Sequence, residues 1–288
     1  MKQDHLQPSF RAPAGACDCH FHVFGAHDRY PARDPKLRYP LPYAPLESYL
    51  ETARRLGLER FVVVQPSAYL RDNSCLEETL RELGTLRARG IVDIGEDVAD
   101  AELARLHALG VRGVRINVSP VHPFEEGLAD RLLGRIDRME ARCKEIGWQL
   151  DFLLPGWLTE ALLDRMARLE VDFTMAHMGM FLAARGPQQP GFVRLLDLLR
   201  HGSGHAHVKL TGVYRMSKTE GFTDARPMVH ALLEAAPDRL LWGSDDPHAS
   251  FADKVGSVEL FNLLGDWVPD ESLRRRILAE NPARLFGF

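Results

Sequence analysis

A chain of 288 residues, 45% hydrophobic and 26% charged, is long enough for a large buried core and falls within the size of one large α/β domain. Its formal net charge of −4 gives no electrostatic reason to expect nucleic acid or a membrane surface as partner, which leaves a small molecule. Cys17, Cys19, Cys75 and Cys143 form no CxxC pair and no disulfide framework, so free thiols are expected. The polar, proline-containing opening lacks the apolar centre of a signal peptide and no run approaches a membrane span, so the chain reads as cytoplasmic.

In chain order, short runs rich in Val, Ile, Leu or Phe alternate with longer amphipathic stretches. ACDCHFHV (16–23) reads as the first strand. Residues 25–45 follow, with five prolines and three tyrosines that forbid regular structure, and a connection of that length is usually a lid or binding loop. Next come helix PLESYLETARRLGL (45–58), strand RFVVVQ (60–65), helix NSCLEETLRELGTLRARG (73–90) and strand IVDIGEDV (91–98). Helix DAELARLHALG (100–110), strand VRGVRINV (111–118) and helix LADRLLGRIDRMEARCKEIG (128–147) continue the alternation. Strands WQLDFLL (148–154) and VDFTMAH (171–177), helix GFVRLLDLLRHG (191–202), and strands HVKLTG (207–212) and RLLWGSD (239–245) complete it. Eight strands separated by helices is the count of a closed parallel (β/α)8 TIM barrel, here a single domain over 1–288 with an extended segment over 1–14. An open doubly wound sheet is the alternative, but no Gly-rich phosphate loop follows the first strand. In a barrel, the long loop and the irregular pieces SPVHPFEEG and FLAARGPQQPG would gather at the strand C-terminal rim, where active sites are built.

Three strand ends carry chemistry. Side chains alternate along a strand, so His20 and His22 face one way, with Asp18 on the same side. A lone buried His is usually a hydrogen-bonded core residue, but two at i and i+2 before a glycine and a long loop have no packing use. His177 closes the sixth run, and Asp245, Asp246 and His248 close the eighth. Asp245 alone could be a turn or cap residue; the expectation that it functions rests on residues near 20, 177 and 245 meeting in one hollow.

The HxH of the first strand, the later His and WGSDDPH together resemble the amidohydrolase superfamily. More closely, DCHFHVFG, VVVQPSAYLRDN, GVRGVRINV, AHMG and LLWGSDDPH resemble its 2-pyrone-4,6-dicarboxylate lactonase branch, which also holds sulfomuconolactone hydrolases and sugar-acid lactone enzymes. The resemblance implies a distorted (β/α)8 barrel, and it places His20, His22, His177 and Asp245 where the superfamily holds a divalent metal, although the pyrone lactonase works without one. It also places a carboxylate-binding Arg at Arg115. Arg215, Tyr39, Ser67, Asn73 and His248 fit substrate-binding roles, although each has an ordinary loop, turn or salt-bridge reading beside it. Two positions depart from the pyrone lactonase pattern, with Val121 in place of an Arg and Leu153 in place of a Tyr. The substrate is thus either the pyrone dicarboxylate or a related lactone with one carboxylate.

Three ligands and a water suit catalytic zinc, and His20, His22 and Asp245 could supply them. The superfamily's ligands on strands four and five are missing, and Arg115 would repel a second cation while attracting an anion, so no cofactor is expected to be required; one divalent metal such as zinc is the alternative. Lactone opening needs a water, a base and donors for the oxyanion. Asp245 is the expected base, His20, His22 and His177 the donors, and Arg115 and Arg215 the anchors for a small anionic lactone. A metal-dependent hydrolase or decarboxylase, a lactone isomerase and a non-catalytic binding barrel are the alternatives. No GxSxG elbow supports a serine hydrolase, and the oligomeric state is not legible.

Overall fold

The computed structural model describes residues 6–288. Of the extended segment expected over 1–14, residues 1–5 lie outside the described residues, and 6–13 carry neither helix nor strand. This segment is held where the Phe10 ring stacks on Phe261 at 4.2 Å and the Ser9 N–H donates to Asn262 Oδ1 at 2.7 Å.

Among the described residues the strands are β1 (Cys17–Phe21), β2 (Arg60–Val64), β3 (Ala88–Val92), β4 (Val111–Asn117), β5 (Gln149–Leu153), β6 (Phe173–Met175), β7 (Ala206–Leu210) and β8 (Leu240–Trp242). They follow one another in sheet order from β1 to β8. The pairs β1–β2, β2–β3, β4–β5, β5–β6 and β6–β7 are parallel. Parallel neighbours require crossovers, and helices supply them: α1 (Leu46–Leu56), α2 (Ser74–Leu83), α3 (Asp100–Ala108), α4 (Leu128–Ile146), α5 (Gly156–Met166), α6 (Pro190–His201), α7 (Val213–Met216) and α8 (Arg226–Ala235), with α9 (Ser257–Trp267) after β8. The fold is of the (β/α)8 barrel class.

Helix α1 shows how the pattern becomes structure. Tyr49, Ala53 and Leu56 recur at helical spacing and are buried, and Gly57, at φ 73°, ends the helix with its N–H on the Ala53 and Arg54 carbonyls. Contacts group the chain into two compact units, one of residues 1–93, 105–111 and 242–288, the other of residues 94–104 and 112–241. In the first, Phe21 stacks on Tyr49 at 3.7 Å and meets Phe61 edge-on at 6.2 Å. In the second, Phe152 and Phe173 meet edge-on at 5.9 Å, and α4 buries Ile136, Met139 and Cys143.

The boundary furthest from expectation lies between α2 and β3. The helix expected over 73–90 stops at Leu83, and Ala88–Gly90 already belong to β3, so the strand expected over 91–98 begins three residues earlier and ends at Val92. Gly84, at φ 73° and ψ 158°, leaves the helical region and stops the helix. Arg89 disguises the strand: its guanidinium donates to the Ala88 carbonyl beside it and to the Phe286 carbonyl, both at 2.9 Å, and covers the Phe288 ring at 4.5 Å, and the last two partners are remote from any local pattern. The four cysteines are buried free thiols. Among the described residues no helix is long and apolar enough to cross a membrane.

Candidate active site

In the first unit, backbone hydrogen bonds bring the end of β1 beside the segment after β8. Asp245 N–H donates to the His20 carbonyl at 2.7 Å and His22 N–H to the Asp246 carbonyl at 2.8 Å. Gly243 permits this approach, because a Cβ there would lie 2.6 Å from His20 Cβ and 2.8 Å from its backbone nitrogen. As a result one carboxylate oxygen, Asp245 Oδ1, lies 3.4 Å from His22 Nε2 and 3.7 Å from His20 Nε2, with all three side chains buried. Asp245 itself adopts φ 59°, a left-handed conformation unusual for a residue with a Cβ.

The hydrogen bonding of His22 fixes what this cluster needs. Its Nδ1 lies 2.7 Å from the Val64 carbonyl, which can only accept, so Nδ1 carries a hydrogen. In a neutral ring Nε2 is then a lone pair, and it faces a carboxylate oxygen. A hydrogen shared between these two atoms, or a cation held by both, would join them across 3.4 Å. The donor set fits a cation: two imidazoles and a carboxylate, with ligand atoms within 4.8 Å of one another, and a ligand-type His whose other nitrogen is tied to a carbonyl.

Asp18, expected on the side of the two histidines, is a brace. Its Oδ1 accepts from the His20 and Ser244 N–H groups, each at 3.0 Å, and its Oδ2 from the Tyr49 hydroxyl at 2.9 Å. Burial pushes this carboxyl up from 3.8 to about 6, and the hydrogen bonds from Ser244, His20 and Tyr49 hold it from rising further.

In the second unit, Arg115 on β4 stands opposite Asp151 on β5, and Asp151 opposite Thr174 on β6. Arg115 Nε lies 3.7 Å from Asp151 Oδ2, while Lys209 Nζ and Thr174 Oγ1 donate to Asp151 Oδ1 at 2.5 and 2.6 Å. Burial alone would raise the Asp151 carboxyl, but Lys209 and Arg115 outweigh it and hold the group below its usual range. His177 follows β6 in a turn where His177, Met178 and Gly179 all have positive φ, at 52°, 49° and 70°. A Cβ on Gly212 would lie 2.3 Å from His177 Nδ1, so only glycine leaves room for the ring. Arg215, on α7, lies over the Tyr214 ring at 5.2 Å.

The remaining expected residues are placed less centrally. Tyr39 is half-buried in the 25–45 loop, whose ends are pinned by a bridge between Phe24 and Ala44. Half-buried Ser67 opens a single 3-10 turn after β2. The Asn73 amide is committed to the backbone of Asp93, donating at 2.8 Å and accepting at 3.2 Å. His248 closes a turn on the Asp245 carbonyl through its N–H at 2.7 Å, and its ring lies 3.3 Å from the Ser257 hydroxyl. Sequence reading missed Asp151, Lys209 and Thr174. The available signal was a charged residue inside each of the apolar runs QLDFL and AHVKL, since Asp and Lys are almost never fully buried unless paired.

The amidohydrolase family model matches residues 17–288. The chain belongs to this family. It is 39% identical to a 4-sulfomuconolactone hydrolase of Rhizobium radiobacter, covering 97% of this chain and 92% of the relative, and 36% identical to another of Hydrogenophaga intermedia, covering 99% and 93%. It is 29% identical to a 2-pyrone-4,6-dicarboxylate hydrolase of Comamonas testosteroni, covering 97% and 92%. A Pseudomonas putida protein solved as a candidate 2-pyrone-4,6-dicarboxylic acid hydrolase superimposes with a TM-score of 0.82 at 30% identity, covering 95% of this chain and 97% of that one. Structures with the same fold at 18% and 16% identity were solved with bound zinc and manganese, respectively.

Proposed function

We propose that this enzyme is a lactonase-type hydrolase that opens a small anionic lactone with water activated by Asp245. The observation that carries the reading is the buried Asp245 carboxylate with one oxygen 3.4 and 3.7 Å from the Nε2 atoms of His22 and His20, in a chain similar over its length to lactone hydrolases. Asp245 accepts the proton of the attacking water as its oxygen bonds to the lactone carbonyl carbon. The ring C–O bond then breaks and the proton passes to the leaving oxygen. His20 and His177 donate to the oxyanion, the step in which such donors are worth most, whereas His22, with its Nδ1–H on the Val64 carbonyl, turns Nε2 toward Asp245 instead of donating as expected. Arg115 and Arg215 fork the substrate anion, with Tyr39 and Ser67 contributing from their loops. Asn73 and His248, whose side chains engage Asp93 and Ser257, support that rim. With Val121 and Leu153 where an Arg and a Tyr would each give a charge-assisted or phenolic contact, a lactone with one carboxylate suits the site better than the pyrone dicarboxylate.

The geometry of His22 favours a second reading of how the carbonyl is polarised. A divalent cation such as zinc, held by His20, His22 and Asp245, would supply Lewis-acid polarisation of the carbonyl.

Turnover of a carboxylated lactone in heavy-oxygen water tests the reaction class. One labelled oxygen in the new carboxylate is expected. An unlabelled isomeric lactone would show acyl migration instead, and released carbon dioxide would show decarboxylation.

A further inference from the structure

Ser257, the buried first residue of α9, has no part in the chemistry assigned to Asp245 and the histidines, yet its side chain is tied to two of the three residues that follow Asp245. Its hydroxyl donates to Asp246 Oδ2 at 2.8 Å and lies 3.3 Å from His248 Nε2. A serine hydroxyl has one hydrogen and a carboxylate can only accept, so that hydrogen goes to Asp246, and the His248 contact is closed by the ring Nε2–H donating to Oγ. The two hydrogen bonds run in one direction, from His248 through Ser257 to Asp246, and each polarises the other. Both ends of this run reach Asp245 through the backbone. Asp246 is its neighbour, with a carbonyl that accepts the His22 N–H at 2.8 Å, and the His248 N–H closes a turn on the Asp245 carbonyl at 2.7 Å. Asp245 and His248 hold positive φ, 59° and 58°, a region that side-chain-bearing residues keep only where their surroundings over-determine it. Helix α9, which buries Val258, Phe261 and Leu264, gives the hydroxyl a packed mount from which to do this.

We propose that Ser257 is a positioning residue for the base: by holding the Asp246 carboxylate and the His248 ring together, it fixes the backbone that keeps the Asp245 carboxylate beside His20 and His22. This inference rests on the reading of Asp245 as the base. The bond to Asp246 carries it, whatever else the His248 ring touches.

The test measures kcat and KM for a carboxylated lactone in wild type, Ser257→Ala, Ser257→Thr, Asp246→Ala and the double variant Ser257→Ala with Asp246→Ala, each assayed well below its own thermal midpoint. Ser257→Ala and Asp246→Ala are each expected to lower kcat about tenfold with KM within about twofold of wild type, a smaller loss than the roughly hundredfold that a misplacement of about 1 Å causes. Ser257→Thr keeps a hydroxyl and is expected to restore kcat to within about threefold of wild type. Since the two side chains act through one bond, the double variant is expected to fall no more than about threefold below the slower single variant. A kcat unmoved by Ser257→Ala, a loss that appears in KM alone, a Ser257→Thr as slow as Ser257→Ala, or a double variant whose losses multiply to about a hundredfold overturns the inference. If Ser257→Ala does not fold, Asp246→Ala decides by itself, and a wild-type kcat there overturns the inference equally. Asp245→Asn separates the two levels. Wild-type turnover in that variant defeats the base reading and this inference with it, whereas turnover lost there and kept in Ser257→Ala defeats this inference alone.

Discussion

Asp245 and His177 share a feature that residue type does not disclose: both sit at positive φ, 59° and 52°. Each follows a short strand, and each meets a glycine nearby. Residues held in sparsely populated backbone regions persist only where their surroundings over-determine them, and they cluster at sites that need a side chain aimed in one direction. For Asp245 the determinants are its N–H on the His20 carbonyl and its own carbonyl accepting the His248 N–H, both at 2.7 Å. Gly243 is the third. An added Cβ would press on His20 Cβ and backbone, which cannot rotate away, so Gly243→Ala is expected to cost about 1–3 kcal/mol and to lower the thermal midpoint by several degrees. Calorimetry checks it, and a midpoint equal to wild type would mean that β1 can yield at His20. At this scale the chemistry was largely legible: HxH and WGSDDPH name the three side chains that the structure gathers in the first unit. The Asp151–Lys209 pair was not, because Asp and Lys gain their meaning from strands β5 and β7, whose pairing through β6 no local pattern records.

At the scale of elements, Asp18 links β1, α1 and the segment after β8. Its carboxyl is raised from 3.8 to about 6, so between those pH values the folded state holds a proton that the unfolded chain has released. The stability this group contributes is therefore fully present below about pH 4 and is lost as pH rises through about 6, to the extent of about 3 kcal/mol. Asp18→Asn removes that dependence. Urea unfolding of both proteins is expected to show the variant gaining on wild type by up to this amount between pH 4 and pH 7, and parallel pH profiles would rule out a titrating Asp18. The same scale explains what sequence patterning captured. Strand and helix periods located the eight strands, since each run is apolar and each crossover amphipathic. They failed at Asn73–Val98, where Gly84 ends α2 and Arg89 sits inside β3 with its charge satisfied by the Phe286 and Ala88 carbonyls, about two hundred residues away in one case and adjacent in the other.

At the scale of the molecule, a chain of the amidohydrolase family carries a buried two-histidine, one-aspartate cluster in one unit and a buried guanidinium paired with Asp151 in the other. The Nδ1–H of His22 on the Val64 carbonyl turns its Nε2 toward Asp245 Oδ1, and with His20 these atoms form a donor set that fits a cation. Dialysis against a chelator is accordingly expected to abolish turnover, and added zinc to restore it. Full activity at a metal content far below one ion per chain would return the enzyme to the metal-free mode that its resemblance to pyrone lactonases implies. The central claim concerns the base. Steady-state turnover of a carboxylated lactone by wild type and Asp245→Asn tests it most directly, with folding confirmed by the thermal midpoint. Loss of about a thousandfold in kcat is expected for a missing general base; a variant that turns over at the wild-type rate would contradict the account.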